Sequence, residues 1–295
     1  MKKYAIGGDI GGGHITVAVI DLDDARIVTG SHCRMDVDAE GSAEGILSAW
    51  TEAIKQSAQQ AVDEAGIEPS AIVGMGLAMP GPFDYENGIA KIIEQKKFRS
   101  LYDMDVRAAL AQRTGFAPES IKFKNDAENF LRGCVFGGVG KGSKRAIGVT
   151  LGTGFGSAYY IDGESADADL WCAPFRGKIA EESISTRWFN ARYEELTGKK
   201  VRGVKFLIDG VMNGTDKEAK QVFSEFSDTL IEFLVPLVSE KKADTLILGG
   251  SIALSAHLFI EPLKAAMAKA NPSTRVLTTI LGEESTLLGC ASLIG

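Results

Sequence analysis

Apolar residues recur along this chain with two periods, about 2 and about 3.6. They divide it into short strands and amphipathic helices. Residues 3–9 read as a strand that runs into Asp9-Ile10-Gly11-Gly12-Gly13. Residues 14–21 (HITVAVID) read as a second strand, and 25–34 as a third after an acidic turn at Asp21 to Asp24. Ile46, Leu47, Trp50, Ile54, Ala58, Ala61, Val62 and Ala65 keep helical spacing, with Ser42 as N-cap and Gly66 as terminator. Residues 71–79 (AIVGMGLAM) are almost wholly apolar, as a strand covered on both faces would be, and Pro80-Gly81-Pro82 stops them.

Residues 83–95 then read as an irregular hairpin through Asn87-Gly88. A short helix over 105–114, a strand over 120–124 and a helix over 127–136 follow. A glycine-rich connector at 137–142 leads to strands at 145–151 and 157–162, which flank Gly152-Thr153-Gly154-Phe155-Gly156. The rest is more helical. Helices are predicted over 179–196 and 214–239, the latter kinked or ended by Pro236. A strand at 245–248 stops at Gly249-Gly250-Ser251, which opens a helix reaching residue 270. A strand at 275–281 and a helix at 284–294 finish the chain. Each half thus opens with strand, glycine loop and strand.

Composition narrows the class. With 295 residues, 45% apolar and 24% charged, the chain has the profile of a soluble globular protein of one large or two ordinary domains. The net charge of -7 argues against nucleic acid as the main partner. No apolar run reaches the ~18 residues of a membrane span, and Met1-Lys2-Lys3 leads into a strand rather than a signal sequence, so a cytoplasmic protein is expected. Cys33, Cys134, Cys172 and Cys290 form no CxxC pair, and His14, His32 and His257 are scattered. Reduced thiols are expected, with neither a zinc cage nor a disulfide framework.

The glycine loops carry the chemistry. Glycine lets backbone N–H groups close on a phosphate with no side chain in the way. A dinucleotide fingerprint requires a helix behind the loop, whereas β-type sequence follows both loops here, His14 to Ile20 and Ser157 to Ile161. A Walker loop fails as well. Around Gly140-Lys141, Gly142 stands where Ser or Thr is needed and Val135 where the first glycine should be. What remains is a pair of hairpin cradles, one per half, with Asn125-Asp126-Ala127 between them. Asp9, at a strand end before its glycines, suits a magnesium held through water.

In order, Asp9-Ile-Gly-Gly, Pro80-Gly81-Pro82, Asn125-Asp126-Ala127, Leu151-Gly-Thr-Gly-Phe-Gly156, Leu248-Gly249-Gly250 and Gly282-Glu283 through Ala291 resemble the motifs of ROK-family sugar kinases. These belong to the actin, hexokinase and Hsp70 superfamily, and the resemblance spans nearly the whole chain. It implies an α/β fold of two domains, actin-like (ribonuclease H-like), with the active site in the interdomain cleft. The expected domains are 1–124, joined by the C-terminal helix 284–295, and 125–283. It implies transfer of the γ-phosphate of ATP to a hydroxyl of a hexose, glucose-like or an N-acetylhexosamine, with ATP and Mg²⁺ required and a homodimer expected.

Asp126 becomes the general base, although a carboxylate between strand and helix also looks like an N-cap. Gly81, Asn125, Asp126 and Glu181 become sugar-binding residues. Glu181 precedes Ser185 by four positions, which on a helix places both on one face. Gly11, Gly12, Gly13, Gly152, Thr153, Gly154, Gly249 and Gly250 become ATP-binding residues.

The chain departs from the family at two places. Gly13 and His14 stand where a threonine usually follows the paired glycines. The family's His and three-Cys zinc motif is missing from Trp171 to Gly177, which holds only Cys172, so no zinc is expected. The stretch Glu94 to Tyr102 carries Lys96, Lys97 and Arg99, a solvated cluster or a preference for an anionic sugar. The alternative function is a sugar-binding regulator on the same scaffold. Only eight residues precede Asp9, too few for a DNA-binding helix-turn-helix, so such a regulator would act through a protein partner. A chaperone- or actin-like ATPase would carry extra length.

Overall fold

A computed structural model describes residues 2–93 and 96–295. The fold is α/β, in two compact units: Met1–Lys141 with Glu283–Gly295, and Gly142–Gly282. The division expected at 124/125 falls instead at 141/142, because the helix after Asn125 packs on the C-terminal helix of the first unit.

The first unit is built on β1 (Tyr4–Ile10), β2 (His14–Asp21), β3 (Arg26–Ile27), β4 (Cys33–Asp36), β5 (Ile72–Ala78) and β8 (Ile121–Lys124). The sheet order is β3-β2-β1-β5-β8, with β4 also on β2. β1 pairs antiparallel with β2 and parallel with β5, and β5 pairs parallel with β8. The expected third strand over 25–34 is two strands, β3 and β4, separated by a turn in which Gly30 takes φ +81. A small ribbon, β6 (Phe83–Asp84) with β7 (Ile89–Ala90), follows β5. Glu94 and Gln95, at the end of the predicted 83–95 hairpin, lie outside the described residues.

Helix α1 (Ala43–Ala65) starts where Ser42 accepts from Gly45 N–H at 3.1 Å and stops at Gly66, in the left-handed conformation. α2 (Val106–Thr114) is capped by Asp105. α3 (Asp126–Phe136) follows β8 directly. Trp50 and Ile54 of α1 join Ile6, Val17, Met75, Leu77, Leu110 and Phe123 in the core on one side of the sheet. Ala5, Ala18 and Ile20 face the other side and meet Leu287, Leu288 and Ala291 of the C-terminal helix. Both faces of β1 and β2 are therefore covered, which explains their near-continuous apolar sequence.

The second unit repeats the arrangement. Its strands are β9 (Arg145–Leu151), β10 (Phe155–Ile161), β11 (Glu164–Asp167), β14 (Thr245–Gly249) and β15 (Arg275–Thr278), in the order β11-β10-β9-β14-β15. A ribbon of β12 (Pro174–Phe175) and β13 (Lys178–Ile179) lies between β11 and the helices. The helices are α4 (Thr186–Thr197), α5 (Lys205–Met212), α6 (Lys217–Lys241) and α7 (Ile260–Ala270). Their aromatic centre joins Phe189, Phe223, Phe226 and Phe259, with the rings of Phe189 and Phe226 4.6 Å apart.

Three helix expectations change here. The 179–196 helix is a 3₁₀ turn at Ala180–Glu182 followed by α4. Gly249-Gly250-Ser251 opens not a long helix but a 3₁₀ segment, Ala253–Leu258, and α7 starts after it. α6 runs through Pro236 to Lys241, because Leu234 and Val238 continue its buried stripe past the lost hydrogen bond. Ile179, expected to start the 179–196 helix, ends β13, while β11, β12 and α5 had no expectation attached to them.

The C-terminal helix, α8 in chain order (Glu283–Ala291), touches its neighbours backbone to backbone. A Cβ on Gly133 of α3 would stand 1.6 Å from the Ser285 carbonyl oxygen. One on Gly289 would stand 1.8 Å from that of Asn129, one on Gly7 2.0 Å from that of Leu287, and one on Gly76 1.9 Å from that of Cys290. Only glycine allows these approaches. Gly133→Ala is expected to destabilise the chain by about 3 kcal/mol in urea unfolding, because the clash outweighs the gain in helix propensity of about 1 kcal/mol.

Candidate functional site

In the first unit the parallel strands β1, β5 and β8 end together along one sheet edge, where open α/β sheets place their ligands. Asp9 stands near the end of β1. Met79, Pro80 and Gly81 leave β5, and Asn125 and Asp126 leave β8. The structure thus gathers Asp9, Gly81, Asn125 and Asp126 at one edge, beside the first glycine hairpin.

That hairpin is closed by its own first amide: Gly11 N–H donates to the His14 carbonyl at 2.9 Å. Among the described residues, the N–H groups of Gly12 and Gly13 have no protein acceptor and are open to a ligand. The His14 ring covers Gly11, at 3.0 Å from where a Cβ would stand, and Lys97 covers Gly12. Gly13 has open space.

Asn125, not Asp126, caps α3. Its Oδ1 accepts from Glu128 N–H at 3.1 Å, while Asp126 occupies the first helical position and accepts from Ala127 N–H at 2.9 Å. The cap reading of Asp126 therefore falls to its neighbour. The exposed Asp126 carboxylate is not tied into the cap, while the Oδ1 of Asn125 is already engaged.

Glu283, the first residue of α8, reaches the same edge. Its Oε1 accepts from Thr16 Oγ at 2.6 Å and lies 3.4 Å from Arg34 and 3.6 Å from His14 Nε2. Neither Glu283 nor Lys97 could be assigned from local sequence, since each meets the hairpin from a remote element. Burial pushes the Asp9 carboxyl up to about 7. Repulsion from Glu283 and Asp126 adds to this, and Arg34 opposes it.

In the second unit Gly152 N–H closes the other hairpin on Gly154 O at 3.1 Å. Among the described residues, the N–H groups of Thr153 and Gly154 have no protein acceptor. Gly249 pairs with Thr150 in the adjacent parallel strand. Gly250, at φ +86, packs on Leu151, and a Cβ there would stand 2.5 Å from its carbonyl oxygen. Gly249 is buried in its strand, Glu181 lies over Gly154 and Ser251 over Gly152, and Thr153 is the exposed residue of this loop.

Glu181 is not on a helix face shared with Ser185, which is instead the residue before α4. Glu181 turns onto the loop: its Oε2 accepts from Phe155 N–H at 3.0 Å, and its Oε1 pairs with Arg187. Thr186 donates to the Gly152 carbonyl through N–H at 2.8 Å and Oγ at 2.9 Å. The 3₁₀ turn replacing the expected helix start is what lets both residues hold this hairpin.

Among the described residues no three His, Cys, Asp or Glu side chains cluster as a metal cage. Cys33, Cys134 and Cys290 are buried and Cys172 is exposed. One buried carboxylate under like-charge repulsion does fit a magnesium that keeps its waters and takes its other ligands from phosphate oxygens. No helix among the described residues is long and apolar enough to cross a membrane.

Each unit pairs a mixed sheet with a glycine hairpin, and the fold class is α/β. Residues 5–167 match the ROK family, and the chain belongs to it. It is 24% identical over 327 residues to a glucokinase of Thermotoga maritima, covering 99% of this chain and 98% of that one. It is 22% identical over 291 residues to an N-acetylgalactosamine kinase of Shewanella sp., covering 90% and 85%. In fold it is similar to the ROK hexokinase from Thermus thermophilus, with a TM-score of 0.76 at 22% identity over 98% of this chain and 97% of that one. A ROK glucokinase from Streptomyces griseus, solved with glucose and AMPPNP, gives 0.72 at 21% identity, covering 98% of each chain.

The raised Asp9 carboxyl has a testable sign. From about pH 4, where an unfolded aspartate titrates, to about pH 7, the folded chain keeps a proton that the unfolded chain has lost. The contribution of Asp9 to stability therefore falls as pH rises through that window. Asp9→Asn should be more stable than the parent above pH 7, by up to about 4 kcal/mol. The difference should vanish near pH 4, as read by urea unfolding at both pH values.

Proposed function

We propose that this ROK-family chain is an ATP-dependent sugar kinase that phosphorylates a hydroxyl of a hexose, glucose-like or an N-acetylhexosamine. The observation that carries this reading is the meeting of Asp9, the open amides of Gly12 and Gly13, and Asp126 at one sheet edge. Phosphoryl transfer needs charge neutralisation and positioning more than covalent help, and these groups supply both.

Asp126 accepts the proton of the attacking hydroxyl and orients its oxygen toward the transferring phosphorus. Its place at the first position of a well-packed helix fixes that carboxylate in direction. Gly81 and Asn125, on the neighbouring strand ends, bind the sugar, and Glu181 contributes a further sugar contact. The amides of Gly12 and Gly13 bind phosphate oxygens in the first unit, and those of Thr153 and Gly154 offer the same chemistry in the second. Gly11 and Gly152 spend their amides on closing the hairpins and shape the cradle instead. Gly249 and Gly250 offer bare backbone for the adenosine. Asp9 would hold magnesium through water, and that ion would supply charge neutralisation to the phosphates. A cation there also relieves the repulsion among Asp9, Asp126 and Glu283.

The test is sugar-dependent ATP turnover across a panel of hexoses and hexosamines. Absence of turnover with every sugar would sink the reading, and sugar binding without turnover would favour the regulator. In an active protein, Asp126→Asn should keep sugar affinity within a fewfold while kcat drops on the order of 10²–10⁴-fold, as removal of a general base does. Full kcat in that variant would remove Asp126 from the role.

A further inference from the structure

We propose that Lys97 is a phosphate-binding residue of the first glycine hairpin, its ammonium taking oxygens of the phosphoryl group being transferred. This rests on the kinase reading and adds a residue to it.

Lys97 lies over the backbone of Gly12. A Cβ on Gly12 would stand 2.5 Å from Lys97 Nζ, 2.8 Å from its Cδ and 2.9 Å from its Cε. Among the described residues Lys97 has no ion-pair partner, and the amides of Gly12 and Gly13 have no acceptor. Unmatched donors and a unit positive charge thus share one place, and an anion is what would satisfy them together.

The lysine is held there by its neighbours. Phe98 is fully buried, donates its N–H to Ala39 O at 2.6 Å, and sets its ring edge-on to Trp50 at 5.4 Å. Ser100 Oγ donates to Gly41 O at 2.8 Å. The exposed Lys97 side chain therefore springs from a point fixed in the core, one residue away.

The hairpin has a use for it. Gly13 and His14 leave it without a hydroxyl next to the paired glycines, and the nearest one, on Thr16, is spent on Glu283 at 2.6 Å. Lys97 supplies the missing side-chain donor, with a charge in addition. Asp126 belongs to the same unit and the same sheet edge, so the phosphate met here is the one that leaves for the acceptor. A lysine suits that task, because a compact point charge follows the phosphoryl oxygens as they move.

Lys97→Met, Lys97→Arg and the neighbouring Lys96→Met are compared with the parent chain. The readouts are calorimetric binding of ADP and of AMPPNP, each with magnesium, and sugar-dependent turnover. Lys97→Met should lose about tenfold or more in AMPPNP affinity, keep ADP affinity within about twofold, and lose kcat on the order of 10²-fold. Lys97→Arg should recover most of both, and Lys96→Met should match the parent. Parent-like AMPPNP affinity in Lys97→Met, or an equal loss in Lys96→Met, would overturn the assignment. If the parent phosphorylates no sugar, the kinase reading fails on its own, and the ratio of AMPPNP to ADP affinity still decides whether Lys97 grips the terminal phosphate.

Discussion

The first unit depends on one steric constraint: helix α8 lies against β1, β5 and α3 with no side chain between the backbones. Gly7, Gly76, Gly133 and Gly289 each stand where a methyl group would strike a carbonyl oxygen of the facing element. Ala5 and Ala18 keep the rest of that sheet face shallow. Close approach at four points sets the helix along its axis as well as in depth, because each glycine accepts only the bare turn that faces it. That registry delivers Glu283, at the helix start, to Thr16, Arg34 and His14. A packing rule about small residues on a buried face therefore decides the electrostatics of the glycine hairpin on the exposed edge.

Those electrostatics are unfavourable among the side chains alone. Asp9, Asp126 and Glu283 share one neighbourhood, and burial leaves Asp9 costly to ionise. Arg34 offsets only part of this. Such an arrangement is poorly explained as scaffolding, since a neutral residue at position 9 would fold with less conflict. It is well explained if a cation and a polyphosphate complete the charge balance. The second unit lacks this tension. Its hairpin is tied down by neutral bonds from Thr186 and by Glu181, whose charge is matched by Arg187. The two hairpins look alike in sequence and differ in what surrounds them.

Much of the architecture was legible because its signals are local. Ser42 and Gly66 mark the ends of α1 by chemistry that involves only their own turns. The strands on either side of each glycine loop show their period directly, which excludes a helix-dipole site. The failures share a cause. Residues 179–185 have helical composition, but the 3₁₀ turn there is imposed by the hairpin that Glu181 and Thr186 must reach. Pro236 signals a break locally, yet the buried stripe of α6 overrides it. Asn125 and Asp126 both fit a cap, and only the backbone geometry chose between them. Lys97 and Glu283 were invisible as neighbours of Gly12 and Thr16, because nothing within a turn or two of either names a partner so far along the chain.

The first unit is also discontinuous, and this bears on how the chain acquires its shape. Residues 142–282 form a contiguous block with its own core, so a growing chain can finish that block as it emerges. The block begun earlier cannot close until then, since the helix that covers one face of β1, β2 and β5 is made only after residues 142–282. Until then Ala5, Ala18 and Ile20 lack their cover. The order of completion thus runs against the order of synthesis. The strand that carries Asp9 is made before that whole block, yet is sealed from water on one face only after it.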